Sequence, residues 1–115
     1  MKLEFHHINF VSNDVSKMHD FYTKVLGLEN IPIENFPRPK ETESTGYSGE
    51  IQFATDGSMQ MHLAEKNLDV AAKHKMQINP VEKGHIAFRT DNLDEFLKIL
   101  KEYGIPFSDY GTAFA

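Results

Sequence analysis

The chain has 115 residues, 40% of them hydrophobic and 25% charged, with a formal net charge of -5 and no cysteine. That is the composition of one globular domain. It excludes disulfides, thiolate metal sites and a cysteine nucleophile, and its acidity argues against a nucleic-acid partner, whose phosphates need clustered Lys and Arg. The start of the chain, Met1 to His7, lacks the apolar run of a signal peptide, and no stretch is long enough to span a bilayer, so a cytoplasmic protein is expected. Its 6 histidines are the compositional hint of chemistry.

In chain order, Leu3 to Ser12 reads as a strand with Phe5, His7, Asn9 and Val11 on one face and Ile8 and Phe10 on the other. Asn13-Asp14 supplies a helix cap, and Val15, Met18, Phe21, Tyr22, Val25 and Leu26 recur at helical spacing until Gly27 stops the helix. Leu28 to Ile33 is a second strand. A polar, proline-containing loop runs over about Glu34 to Thr45. Tyr47 to Ala54 and Met59 to Ala64 form a hairpin turning at Asp56-Gly57. Lys66 to Pro80 is a connector with a helical turn around Val70 to His74. Gly84 to Thr90 is a strand, Asp91-Asn92 caps a helix with Leu93, Phe96, Leu97, Leu100 and Tyr103 as its apolar stripe, and Gly104 ends it. Ile105 to Tyr110 starts another strand.

The two halves repeat each other. His7-Ile8-Asn9-Phe10 matches His85-Ile86-Ala87-Phe88, and Asp14 and Asn92 follow at the same distance. Each half continues as cap, amphipathic helix, glycine and strand, which suggests internal duplication.

Together, His7 to Val11, Asp14, Phe21-Tyr22, Val25 to Leu28, Gln60 to Glu65 and Gly84 to Phe88 resemble the signatures of the vicinal oxygen chelate superfamily, the glyoxalase, bleomycin-resistance and ring-cleaving dioxygenase group. The resemblance covers nearly the whole chain. It implies an α+β fold of paired βαβββ modules whose mixed sheet curls into a cup around one divalent metal. The expected single domain, 1–115, divides into module one at about 1–66, a connector at 67–83 and a partial module two at 84–115. The ligands implied by position are His7, His62 and His85. The fourth, usually a glutamate, belongs to the last strand of module two. The step that leads from His7 to His62 leads from His85 to a position beyond residue 115. The chain is therefore expected to be a fragment with a truncated second module, and the carboxylate that would also serve in catalysis is expected beyond its end.

Strand parity supports the assignment. The faces of His7 (Asn9, Val11), His62 (Gln60, Ala64) and His85 (Ala87, Arg89) are small or polar, as a pocket lining is. Ile8, Phe10, Met59, Met61, Leu63, Ile86 and Phe88 lie opposite and are apolar enough to pack under the two helices. Asn9, Gln60 and Arg89 are the substrate-binding candidates. Asn9 and Gln60 orient substrate or ligands, or are ordinary pocket polarity. Arg89 clamps an anion or pairs with a carboxylate. By parity His6 points away and is rejected as a ligand. His19 and His74 are expected in solvent, Glu65 and Tyr110 outside the cup mouth, and Met59 and Met61 in the core.

Neutral imidazoles suit zinc, nickel, iron, manganese or cobalt. A metal with open positions chelates two neighbouring substrate oxygens and, as a Lewis acid, stabilises an enediolate or oxyanion. The resemblance thus implies a glyoxalase-like (lactoylglutathione lyase-like) enzyme acting on a small substrate with vicinal oxygens. Its alternatives are an iron-dependent ring-cleaving dioxygenase, metal-dependent opening of an antibiotic epoxide, and a non-catalytic bleomycin-resistance-type binding protein, against which the three histidines speak. A small-molecule partner and a homodimer, with neither nucleic acid nor membrane, complete the expectation.

Overall fold

A computed structural model describes residues 1–36 and 49–111. Five strands form one sheet in the order β2-β3-β4-β1-β5: β1 is Leu3–Ser12, β2 Glu29–Ile31, β3 Ile51–Thr55, β4 Gln60–Glu65 and β5 His85–Thr90. Helix α1 is Val15–Asp20, α2 is the turn Val70–Lys73 and α3 is Leu93–Glu102. The fold is α+β, and the mixed sheet is curled and unclosed. No helix among the described residues is long and apolar enough to cross a membrane.

Both caps form as the sequence requires. Asp14 Oδ1 accepts from the Lys17 backbone N–H and Asn92 Oδ1 from that of Glu95, each at 3.0 Å, so two of the donors left open at a helix start are satisfied. The first helix narrows to α1 and continues as a π-type turn over Phe21–Val25, where Leu26 N–H reaches back to Phe21 C=O at 3.1 Å. Gly27, at φ +77°, ends it in a conformation that a side chain would disfavour. The hairpin turns where expected: Asp56 Oδ1 accepts from the N–H groups of Ser58 and Met59 at 2.8 and 3.0 Å, and Thr55 pairs with Gln60. Residues 37–45 of the expected polar loop, and the hairpin's expected start at Tyr47, lie outside the described residues.

Helix α1 covers the outer face of the sheet, where Val15, Ala54 and Leu63 are essentially inaccessible to solvent. A second apolar cluster of Ala64, Val70 and Val81 lies on the concave side with Val11, Ile51 and Tyr110 packed against it. This cluster anchors the connector beneath the cup, because Asn67 N–H donates to Val81 C=O at 3.0 Å.

Four expectations are corrected. Phe5 does not share a face with His7: the β1–β5 register slips between them, with Phe5 opposite Phe88 and His7 opposite Ala87. This bulge sends Phe5 to the outer face, where it packs on Phe88 at 4.8 Å between ring centroids. Ile33 leaves β2 for a 3₁₀ turn, Ile33–Asn35, after Pro32, which has no N–H for a ladder. Ile105 to Tyr110 is not a strand among the described residues: it binds the connector instead, through Ser108 Oγ accepting from Gln77 and Ile78 N–H and through the Tyr110 hydroxyl donating to Ile78 C=O. Lastly, α3 does not cover Ile86 and Phe88, which remain 59% and 52% exposed. Its stripe of Leu93, Phe96, Leu97 and Leu100 turns to the concave side. Beyond β5 no described strand widens the outer face, so an amphipathic helix finds more apolar surface on the inner side, from Val81, Phe107 and Tyr110.

Candidate metal centre

Three neighbouring strands build the floor of the concave face. In the parallel pairing of β1 and β4, Asn9 lies beside His62 and His7 beside Gln60. In the antiparallel pairing of β1 and β5, Asn9 lies beside His85 and His7 beside Ala87. Alternation along each strand therefore brings His7, His62 and His85 to one surface. They line a cavity of about 700 Å³ together with His6, Asn9, Arg89 and the apolar stripe of α3.

The rings of His7 and His62 stack at 3.6 Å between centroids, and His85 meets His7 edge-on at 5.6 Å. His6 joins them, contrary to the parity expectation. It is the extra residue of the bulge, and an inserted residue breaks the alternation on which parity depends. Its ring lies 5.9 Å from that of His62, and its Nδ1 lies 2.8 Å from His7 Nδ1.

Hydrogen bonds fix how these rings carry their protons. Guanidinium has donors and no acceptor, so the 3.0 Å contact between Arg89 Nη2 and His6 Nε2 makes Nε2 the acceptor. His6 is then neutral with its proton on Nδ1, and it donates to His7 Nδ1. With Pro80 C=O at 3.0 Å, His85 Nδ1 is the donor and its Nε2 keeps a lone pair. His62 Nε2 is 2.8 Å from Gln60 Oε1, the geometry of an N–H held by an amide oxygen, which leaves the lone pair on Nδ1.

Burial penalises the charged form of all four. It lowers His62 to about 3 and His7 to about 4, helped by the other imidazoles, and it lowers His6 and His85 to lesser extents, with the Arg89 charge adding to the effect on His6. Neutral imidazoles can ligate a metal: His62 Nδ1 and His85 Nε2 present free lone pairs, while those of His6 and His7 are engaged in the hydrogen bonds to Arg89 and to each other. One nitrogen each from His6, His7 and His62 lie within 4.8 Å of one another. Nitrogens sharing one ion at about 2.1 Å lie about 3 to 3.5 Å apart, so small side-chain adjustments bring this set into range. The donor chemistry fits a borderline divalent ion.

The other expected residues divide. Asn9 is 4% exposed, and its Oδ1 has no hydrogen-bond partner among the described residues although it faces the cavity. A buried acceptor of this kind costs stability unless a ligand or water satisfies it. Arg89 lines the cavity but holds His6 rather than a carboxylate. Gln60 does not line the cavity and holds the His62 ring instead. His19 bonds Asn30 Oδ1 at 2.9 Å, and His74 is half-buried against Tyr110 rather than free in solvent. Tyr110 and Asp109 both reach the cavity wall, and among the described residues Asp109 is its single carboxylate. Sequence reasoning missed His6 and Asp109. Asp109 lies in the segment read as a strand, where nothing singled it out, and only the adjacent pair His6-His7 hinted at the bulge.

The glyoxalase/bleomycin resistance protein/dioxygenase superfamily profile matches residues 4–110. No curated protein matches the chain. Among solved structures, the chain is similar to a hypothetical protein from Bacillus halodurans C-125, with a TM-score of 0.60 and 20% identity over 90% of this chain and 70% of that one. That likeness is one of fold.

Proposed function

Since the chain belongs to the glyoxalase/bleomycin resistance protein/dioxygenase superfamily, we propose that it is a divalent-metal-dependent enzyme of the glyoxalase-like (lactoylglutathione lyase-like) type, acting on a small substrate with vicinal oxygens. The observation that carries this reading is the set of neutral imidazoles converging on the cavity floor. His7, His62 and His85 hold the ion, with His6 beside them. Zinc, nickel, iron, manganese and cobalt all suit such nitrogens. A bound ion supplies Lewis-acid polarisation of two adjacent substrate oxygens.

The chain's own groups do the rest. Pro80 C=O fixes the His85 tautomer that presents Nε2, and Gln60 fixes the His62 ring, as outer partners commonly do for metal-bound imidazoles. Asn9 Oδ1 accepts a hydrogen bond from a hydroxyl or water of the ligand. Arg89 faces an anionic group of the substrate. The α3 stripe excludes water from the reacting end of the cavity.

The same apolar wall favours a second reading, a bleomycin-resistance-type module that sequesters a small molecule without metal. The test is isomerisation of a 2-oxoaldehyde–thiol adduct, followed with each metal in turn. Activity that needs added metal and falls at least about 100-fold in His62→Ala supports the enzyme. Ligand binding that is indifferent to metal, with no turnover, supports the sequestering module. We further propose a cytoplasmic homodimer, which the exposed outer residues Phe5, Ile86 and Phe88 support.

A further inference from the structure

Building on the metal reading, we propose that Arg89 is the anion-binding residue of the cavity and that His6 controls its availability. In the metal-free chain the guanidinium is held on His6. When His7 takes a divalent ion, the guanidinium is released toward a small molecule bearing a carboxylate or phosphate.

Arg89 donates to His6 Nε2, His6 Nδ1–H donates to His7 Nδ1, and a neutral His7 then carries its own proton on Nε2. In this chain of bonds neither nitrogen of His7 offers a free lone pair. If the ion takes Nε2, the His7 proton moves to Nδ1 and points at His6 Nδ1. That nitrogen must now accept, so the His6 proton moves to Nε2 and opposes the guanidinium donors. If the ion takes Nδ1 instead, the His6 N–H faces a cation and must turn away. Either way the bond to Arg89 is lost. Each ring stays neutral and no proton is gained or lost overall.

Among the described residues no carboxylate forms an ion pair with Arg89. Glu4 is its cross-strand neighbour, but Glu4 is engaged by Lys2 at 3.2 Å. Asp109, the carboxylate of the cavity wall, accepts from Gly111 N–H at 2.8 Å. An unneutralised guanidinium on a concave surface is an anion site.

Linkage makes the coupling measurable. If metal binding must break the Arg89–His6 bond, removing that bond tightens metal binding, and an anion that occupies Arg89 does the same. The experiment is competition for Zn²⁺ against a chelating dye at pH 7.5. Arg89→Met should bind Zn²⁺ about 2- to 10-fold more tightly than the unaltered chain, the equivalent of one hydrogen bond. The same substitution should change nothing in a His6→Ala background. Methylphosphonate should raise Zn²⁺ affinity in the unaltered chain and not in Arg89→Met. Nitrogen NMR of the unaltered chain should find the His6 proton on Nδ1 without metal and on Nε2 with Zn²⁺. Equal or weaker Zn²⁺ binding by Arg89→Met, or a metal-free His6 protonated on Nε2, would overturn the coupling while leaving the metal site standing. Failure of every chain to retain Zn²⁺ would overturn the metal reading and the coupling with it.

Discussion

Burial keeps the four histidines of the cavity floor neutral, with the neighbouring imidazoles adding to it at His7 and His62, and this has a pH consequence. The folded-state values of His7 and His62, about 4 and about 3, lie below the ordinary 6.5. Between those values the unfolded chain binds more protons than the folded one, so stability rises with pH there. The contribution is fully present above about pH 6.5 and is lost as pH falls toward 4. The urea midpoint of the metal-free protein should therefore fall between pH 7 and pH 5, and a His7→Gln/His62→Gln variant should show a flatter profile. Asn9 makes a separate prediction. Its buried Oδ1 lacks a partner, so Asn9→Leu should change stability by no more than about 1 kcal/mol while weakening ligand binding. Chemical denaturation and calorimetric titration check the two halves. At this scale His7, His62 and His85 were legible, because alternation places them on one face. His6 was hidden, because one inserted residue reverses the parity of everything before it.

Among the elements, β1 is the axis of the site: it pairs with β4 on one side and β5 on the other, and it carries His6, His7 and Asn9. Gly84 leads into β5 so close to β1 that a Cβ there would lie 2.6 Å from the Asn9 carbonyl oxygen. Backbone atoms cannot yield cheaply, so Gly84→Ala should cost about 1 to 3 kcal/mol and push His85 away from His7. Thermal unfolding and loss of metal affinity together check it. At the start of α1, Asp14→Ala should cost about 1 kcal/mol and leave metal binding unchanged, since its cap lies outside the cavity. The helices and their caps were readable from Asp14, Asn92 and the glycines, because capping depends on neighbours in sequence. The fate of Ile105 to Tyr110 was not. Its alternating pattern suits a strand, but a strand also needs a partner edge, and here Ser108 and Tyr110 find the connector instead.

Across the whole molecule, the order β2-β3-β4-β1-β5 sets β1 and β5, each followed by a cap and a helix, side by side in one sheet, with α1 on its outer face and α3 on its concave side. The α+β class with a curled mixed sheet was legible through the family resemblance of the strand and helix motifs, to which the repeat of His7 to Phe10 in His85 to Phe88 added. Which side α3 would take was not visible. An apolar stripe records that a helix needs cover and not which surface provides it; Ile86 and Phe88 stay exposed while Leu97 and Leu100 line the cavity. Ligands that bind only the folded chain stabilise it by mass action, so a divalent ion at 100 times its Kd should add about 2.7 kcal/mol and raise the melting temperature. Whether these histidines hold an ion is decided by metal content after equilibrium dialysis against Zn²⁺, with the unaltered chain and a His7→Ala/His62→Ala variant side by side. About one ion per chain is expected in the first and none in the second, with both folded by circular dichroism. Equal metal content in the two folded proteins would contradict it.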